Sequence, residues 1–258
     1  ITECESEVSA AQAAAAYTRK GKADVLVKGC IPTSTLIRAV LSRERGIRAD
    51  RLLSHVAVFN DPVSGRLMFL TDAGVNIAPN IYRKVRIVKN AVAVAKRLGC
   101  ERPKVALLAA VDKLNYPAMP ATLDAALVTK MAGSGMVSEA DVEGPFALDN
   151  AMSKESADKK NKRGVVAGLA DVLVAPEIET ANVLYKALQF FSQATFASAV
   201  VGASSPIAVP SRVDSMTTKM MSIMLSCFLV RISHKIPVAS AESATARARS
   251  GKTPDCSM

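Results

Sequence analysis

The chain has 258 residues, half of them hydrophobic, with 4% aromatic residues and no tryptophan. Ala, Val, Leu and Ile carry the apolar content, which suits helices packed on a parallel-rich sheet and allows a large core in one or two domains. The 33 basic and 23 acidic residues leave a net charge of +10, favouring anionic partners, but they are scattered, with no nucleic-acid reader motif and few aromatics to stack on bases, so no nucleic-acid partner is expected.

The chain begins with Ile1 and an acidic stretch rather than a basic and then apolar leader, directly ahead of an Ala-rich helical segment from Ser9 to Thr18. This predicts no signal peptide, a cytoplasmic location, and a fragment or processed product whose amino-terminal portion is absent. Gly21-Lys22-Ala23-Asp24 turns into a strand over Val25–Val27, and Thr33 or Ser34 caps a helix to about Glu44. Leu52–Phe59 and Arg66–Leu70 are strands joined by the turn-rich 60–65 segment, a hairpin. Val85, Val88, Val92 and Ala95 share one face of a helix over Ile81–Leu98, which Gly99 ends. Beyond Arg102-Pro103 the rhythm resumes. A strand over Val105–Ala110 leads to a helix from Thr122 to Ala132 and a strand near Val137–Val142, followed by a strand over Asp171–Val174 and a helix over Glu179–Phe191.

Repeated strand–helix units predict an α/β protein. Arg102-Pro103 marks a boundary between a first lobe, residues 1–102 plus 206–232, and a second lobe, residues 103–205. The 233–258 tail, rich in Ala, Ser and Arg, reads as irregular. Its Gly251-Lys252-Thr253 is not a phosphate-binding loop, because the loop's first glycine falls on Ala246 and no strand precedes it. The near-apolar run Met220–Val230 is shorter than the about 20 residues a bilayer requires, so it reads as a buried helix and no membrane partner is expected. Core packing is the expectation for Met216, Met220, Met221 and Met224. The five cysteines lie far apart without a CxxC or Cys/His cluster, which predicts free thiols and no metal site. His55 and His234 are the only histidines, and His55, within an apolar strand, reads as packed or hydrogen-bonded.

Ser211-Arg212 stands out. Ala199–Gly202 and Pro206–Pro210 are short extended runs, and Ser211 opens a segment with helical apolar spacing through Val230. A hydroxyl, a guanidinium and free backbone N–H groups at a helix N-terminus suit an anion or oxyanion. An N-cap serine beside a solvated arginine fits the same residues.

Ordered blocks along the chain resemble one family, the phosphate acetyl/butyryltransferases. They include the 21–29 and 31–38 segments, Leu53–Phe59, Thr71–Pro79, Met119–Ala126, Glu143–Ala151, Asn182–Lys186, Val201–Ala203 and Ser211-Arg212, covering about residues 8–230. Ser211-Arg212-Val213-Asp214-Ser215 followed by Thr218-Lys219 is similar to the butyryl-type branch. The resemblance implies a two-lobed α/β/α architecture of the isocitrate/isopropylmalate dehydrogenase type, with a cleft between parallel-rich lobes. It also implies reversible transfer of a short acyl group, butyryl or acetyl, between coenzyme A and inorganic phosphate in a ternary complex. Coenzyme A and phosphate are then substrates, no bound cofactor or metal is required, and a homodimer or higher homo-oligomer is expected. An inactive or regulatory fragment of such an enzyme, or an acyltransferase relative using acyl phosphate, is the alternative.

The same resemblance assigns Arg212 to phosphate or acyl phosphate and Ser211 to the reacting carbonyl oxygen or the thiol sulfur. Arg38 matches an arginine near the phosphate and coenzyme A site, and Thr33, Ser34 and Lys28 line the expected substrate region. The acetyl-type acid seven residues after the serine is Thr218 here, so Asp214 becomes the substitute proton acceptor, with a helix-start carboxylate as its bland reading. Asp124 and Asp149 either orient arginines across the cleft or serve as structural caps.

Overall fold

The computed structural model describes residues 1–44, 46, 47, 49, 52–192 and 194–233. His234, Cys256 and all but the first residue of the 233–258 tail lie outside the described residues. Side-chain alternation along strand β2 (Ser54–Asn60) sets the architecture: residues 54–59 are buried without a break, so both faces of the strand are covered. The strand β1 (Leu26–Val27) precedes it, and β3 (Leu67–Thr71) follows through the expected hairpin. Asp61 holds the turn, its carboxylate accepting the Val63 and Ser64 amides at 3.2 and 3.1 Å. Four strands come next, β4 (Lys104–Leu108), β5 (Asp141–Phe146), β6 (Val172–Val174) and β7 (Phe196–Val201), and then β8 (Ile207–Ala208).

Among the described residues these strands make one sheet in the order β1-β8-β7-β2-β3-β6-β4-β5. β2 pairs antiparallel with both β3 and β7, and β7 with β8. The β3-β6-β4-β5 flank is wholly parallel, and β1 runs parallel to β8. The sheet is therefore parallel towards both ends around an antiparallel centre. Strands from both expected lobes meet in it at three pairings, β3 with β6, β2 with β7 and β7 with β8.

One face carries Val56, Val58, Phe69, Val105, Leu107 and Val172 against helices α3 (Ile81–Arg97), α4 (Pro120–Met131) and α8 (Met216–Ser233). The other carries Ala57, Phe59, Leu70, Leu108 and Phe196 against α5 (Leu148–Met152), α6 (Lys154–Lys159) and α7 (Ile178–Ser192). Farther along, α1 (Glu7–Arg19) and α2 (Thr33–Val40) pack on Leu26, Leu53, Val200 and Ile207. Val200 shares its strand face with Phe196, so α1 and α2 lie on the α7 side of the sheet.

Local chemistry accounts for the boundaries. Asn80 caps α3 by accepting the Arg83 amide at 3.0 Å, and Gly99, at φ 95°, follows its C-terminus as a left-handed residue. The helix expected to reach Glu44 stops at Val40, and its N-cap position is Pro32; Thr33 and Ser34 lie inside the first turn. The strand expected near Val137–Val142 runs over Asp141–Phe146 instead. Proline supplies no ladder N–H, and β5 is an edge strand paired only with β4, which accommodates Gly144-Pro145.

The expectation for the methionines is overturned. Met216, Met220, Met221 and Met224 are all exposed, because α8 approaches the sheet through Thr218, Ser222, Leu225, Ser226 and Leu229. Ser222 and Ser226 bond back to the Thr218 and Ser222 carbonyls, leaving two small, satisfied side chains at the contact. Cys4, Cys30, Cys100 and Cys227 are free, and burial with the neighbouring Asp171 charge pushes the Cys100 thiol up to about 11. No helix of the described residues is long and apolar enough to cross a membrane.

Gly202 has φ 100°, and a Cβ there would overlap the Leu52 carbonyl oxygen. Gly202→Ala is expected to lower stability by roughly 2–4 kcal/mol, combining backbone strain and overpacking. The measurement is the urea midpoint against that of the unsubstituted chain.

Candidate active site

On the α7 side of the sheet the α1/α2 pair packs in one core cluster and the α5–α7 group in another. Between them lies a cavity of about 610 Å³. His55 of β2 and Ser198 of β7 come from the sheet beneath it, and α7 contributes Asn182, Tyr185 and Lys186. The opposite wall is the Lys28–Thr33 segment, and residues 209–214 complete the lining. Lys28, Thr33, Ser211, Arg212 and Asp214, expected together from the sequence, all line this one space.

The 211–215 segment is a turn, and α8 begins only at Met216. The Asp214 carboxylate accepts the Ser211 amide N–H at 2.7 Å, closing the turn and delaying the helix. The cap is made by Ser215, whose hydroxyl oxygen accepts the Thr218 amide at 3.1 Å. Ser211 is thus not an N-cap residue, and Asp214 belongs to the turn before the helix rather than to its first turn. Thr218 is buried, its hydroxyl accepting a bond from Ser215 at 3.2 Å.

Arg212 is anchored on the 28–33 segment, its Nη2 donating to the Cys30 carbonyl at 2.8 Å. A guanidinium has five N–H donors, so this single bond leaves others for an anion. Lys28 is buried, and its ammonium donates to the Gly29 and Ile31 carbonyls at 3.0 and 3.3 Å. Those bonds tie the 28–31 loop that also receives Arg212.

Asp214 is 8% exposed and interacts on both sides. Beyond the Ser211 amide it accepts from Gln189 Nε2 at 3.4 Å, and Lys186 Nζ lies 3.9 Å away. His55 is 7% exposed, and its Nδ1 is buried with no hydrogen-bond partner. Its ring packs on Gly74 and meets Tyr185 edge-on at 6.1 Å between centroids. Burial lowers the His55 pKa; the Asp72 and Asp214 charges oppose that effect, and Lys186 adds to it. Asp72 is itself held by four hydrogen bonds, from the amides of Gly74, Val75 and Asn76 and from Asn76 Nδ2. Tyr185 is shifted up by burial and then by the Asp214 charge.

Other expected site residues fall elsewhere. Ser34 and Arg38 are exposed on α2 and outside the walls of this cavity. Asp124 borders a second, more apolar cavity of about 890 Å³ and pairs with the buried Lys84 at 2.6 Å. Asp149 is exposed and pairs with Lys160 at 2.7 Å, which holds its carboxyl below the usual range. Both acids pair with lysines rather than with arginines.

Asn182, Tyr185 and Lys186 carry no role predicted from the sequence, where His55 reads as packed or hydrogen-bonded. Spacing carried a signal: positions 182, 185 and 186 fall on one face of a helix. Nothing in the local sequence marks His55, because its exposure to the cavity arises from helices distant along the chain.

Residues 4–227 match the family model described as phosphate acetyl/butaryl transferase. The chain belongs to this family. It is 48% identical over 204 residues to a probable phosphate butyryltransferase of Bacillus subtilis, covering 79% of this chain and 68% of that protein. It is 46% identical over 209 residues to the phosphate butyryltransferase of Clostridium acetobutylicum, covering 81% and 69%. The fold resembles the crystal structure of a branched-chain phosphotransacylase from Enterococcus faecalis, with a TM-score of 0.80 and 38% identity over 89% of this chain and 82% of that one.

The lowered His55 pKa fixes a sign for stability against pH. Below about 6.5, the ordinary histidine value, the unfolded chain takes up a proton that the folded chain resists, so stability falls as pH drops through that point towards the lower folded value. His55→Asn removes this component. Its loss of urea stability between pH 7.5 and 5 is expected to be smaller than that of the unsubstituted chain.

Proposed function

We propose that this chain transfers a short acyl group reversibly between coenzyme A and inorganic phosphate. The observation that carries the reading is the meeting of Arg212, Ser211 and Lys28 around one cavity within a matched family region. Phosphate needs paired charge-assisted donors, which the Arg212 guanidinium supplies. The acyl carbon needs a donor for its developing oxyanion, a role suited to the Ser211 hydroxyl beside the anchored guanidinium. Asp214 holds the Ser211 amide, so the carboxylate positions the serine. Thr33, in the first turn of α2, contributes a further hydroxyl to the same lining.

Binding both substrates in this cavity makes the transfer direct, with much of the rate gain coming from orientation. A third cavity, of about 860 Å³, shares Asn182, Lys186, Val213 and Asp214 with the first, giving room beside the reacting centre for the rest of a large thioester. The reading includes a cytoplasmic homodimer that uses no bound cofactor.

The test is phosphate-dependent release of free coenzyme A from butyryl-CoA and acetyl-CoA by the purified chain. Release is expected with at least one of them, and none with either would support an inactive fragment. Arg212→Ala is expected to lower turnover by about 10²–10³, the scale of a lost donor to a developing charge, and to raise the phosphate KM. Unchanged values for both would remove Arg212 from the phosphate site.

A further inference from the structure

We propose that His55 is the group that takes the thiol proton from coenzyme A, the role for which neither Thr218 nor a hydrogen-bonded Asp214 is well suited. The inference rests on the acyl-transfer reading above. Three observations carry it. The imidazole lines the same cavity as Ser211 and Arg212. It is 7% exposed; Nδ1 is buried without a hydrogen-bond partner, which leaves Nε2 as the ring nitrogen able to meet a substrate in the cavity. The carboxylate alternative is already occupied, since Asp214 accepts the Ser211 amide at 2.7 Å and faces Lys186 at 3.9 Å.

The groups around the ring suit a base that is neutral at rest and charged in passing. From the loop after β3 comes Asp72, and from the 211–215 turn comes Asp214, both carboxylates that favour an imidazolium. From α7 come Lys186, which disfavours it, and the Tyr185 ring, set edge-on. Lys28 and Arg212 face the same cavity from the opposite wall and the turn. Burial keeps the ring unprotonated near neutral pH, so its lone pair is free to accept.

The step balances. The coenzyme A thiol gives its proton to His55, and the sulfur attacks the carbonyl carbon of the acyl phosphate. The C–S bond forms, the C–O bond to phosphate breaks with its electron pair leaving on oxygen, and the imidazolium passes its proton to the departing phosphate. In the opposite direction the imidazole takes a proton from phosphate and delivers it to the leaving thiolate.

A pH profile tests this. With acyl phosphate and coenzyme A, His55→Gln is expected to lower kcat by about 10²–10⁴ at pH 7, the range for a general base. The deficit is expected to shrink at least tenfold by pH 9.5, where a thiol of ordinary pKa, about 8.5, ionises unaided. Ser211→Ala is expected to show no such recovery. An equal fold loss in His55→Gln at both pH values overturns the assignment and leaves a packing role. A wild-type chain without turnover overturns the transferase reading instead.

Should His55→Gln not fold, the two-histidine content offers a second measurement. In His234→Gln the one remaining imidazole gives unambiguous ¹⁵N signals. Coenzyme A is expected to move the Nε2 resonance, and an unmoved Nε2 resonance at saturating coenzyme A overturns the proposal.

Discussion

The antiparallel pairing of β2 with β3 on one side and β7 on the other is the constraint on which the rest of the molecule depends. It joins the parallel β3-β6-β4-β5 flank to the β8-β1 edge, so a slip there would separate both halves of the sheet. It also fixes parity. A shift of one residue would exchange Val56 and Val58 with His55, Ala57 and Phe59, placing apolar side chains towards the cavity and the imidazole in the core. The Ala57–Ser198 and His55–Val200 registers make His55 and Ser198 diagonal neighbours beneath the cavity.

Around that floor one carboxylate organises the chemistry. Asp214 accepts from the Ser211 amide, lies near Lys186, and exerts its charge on both His55 and Tyr185. The turn that it closes aims Ser211 and Arg212 back over the Lys28–Thr33 wall, where Arg212 is anchored on the Cys30 carbonyl. A longer α8 beginning at Ser211 would have drawn the same residues into a helical turn. Side-chain capture of a backbone amide competes with helix formation, and here it wins.

Much of the fold was legible because it is written in local chemistry. The β2–β3 hairpin follows from turn residues between apolar runs, and α3 from a clean apolar face with Asn80 and Gly99 at its ends. Where the reading failed, the deciding partner lay far along the chain. The strand expected near Val137–Val142 lies at Asp141–Phe146, where its edge position accommodates Gly144-Pro145. The α8 methionines are apolar at helical spacing, yet Thr218, Ser222 and Ser226 were buried in preference because small side chains bring α8 closer to β7. Of the candidate site, Lys28, Thr33, Ser211, Arg212 and Asp214 converge, whereas Arg38 and Ser34 face outward and Asp124 and Asp149 pair with lysines.

By itself the amino-acid order determined the α/β class, most element positions, the family, and the Ser-Arg pair as the centre of interest. These are properties of periodicity, turn chemistry and ordered motif residues, all readable along a line. Tertiary structure alone decided that the pair sits on a turn rather than a helix, and which acid holds it. It also decided that a histidine in an apolar strand borders the cavity while its Nδ1 is buried without a partner. Burial and hydrogen-bond satisfaction depend on what packs from every direction, and for His55 those neighbours come from a loop, a turn and a helix between 17 and 159 residues away.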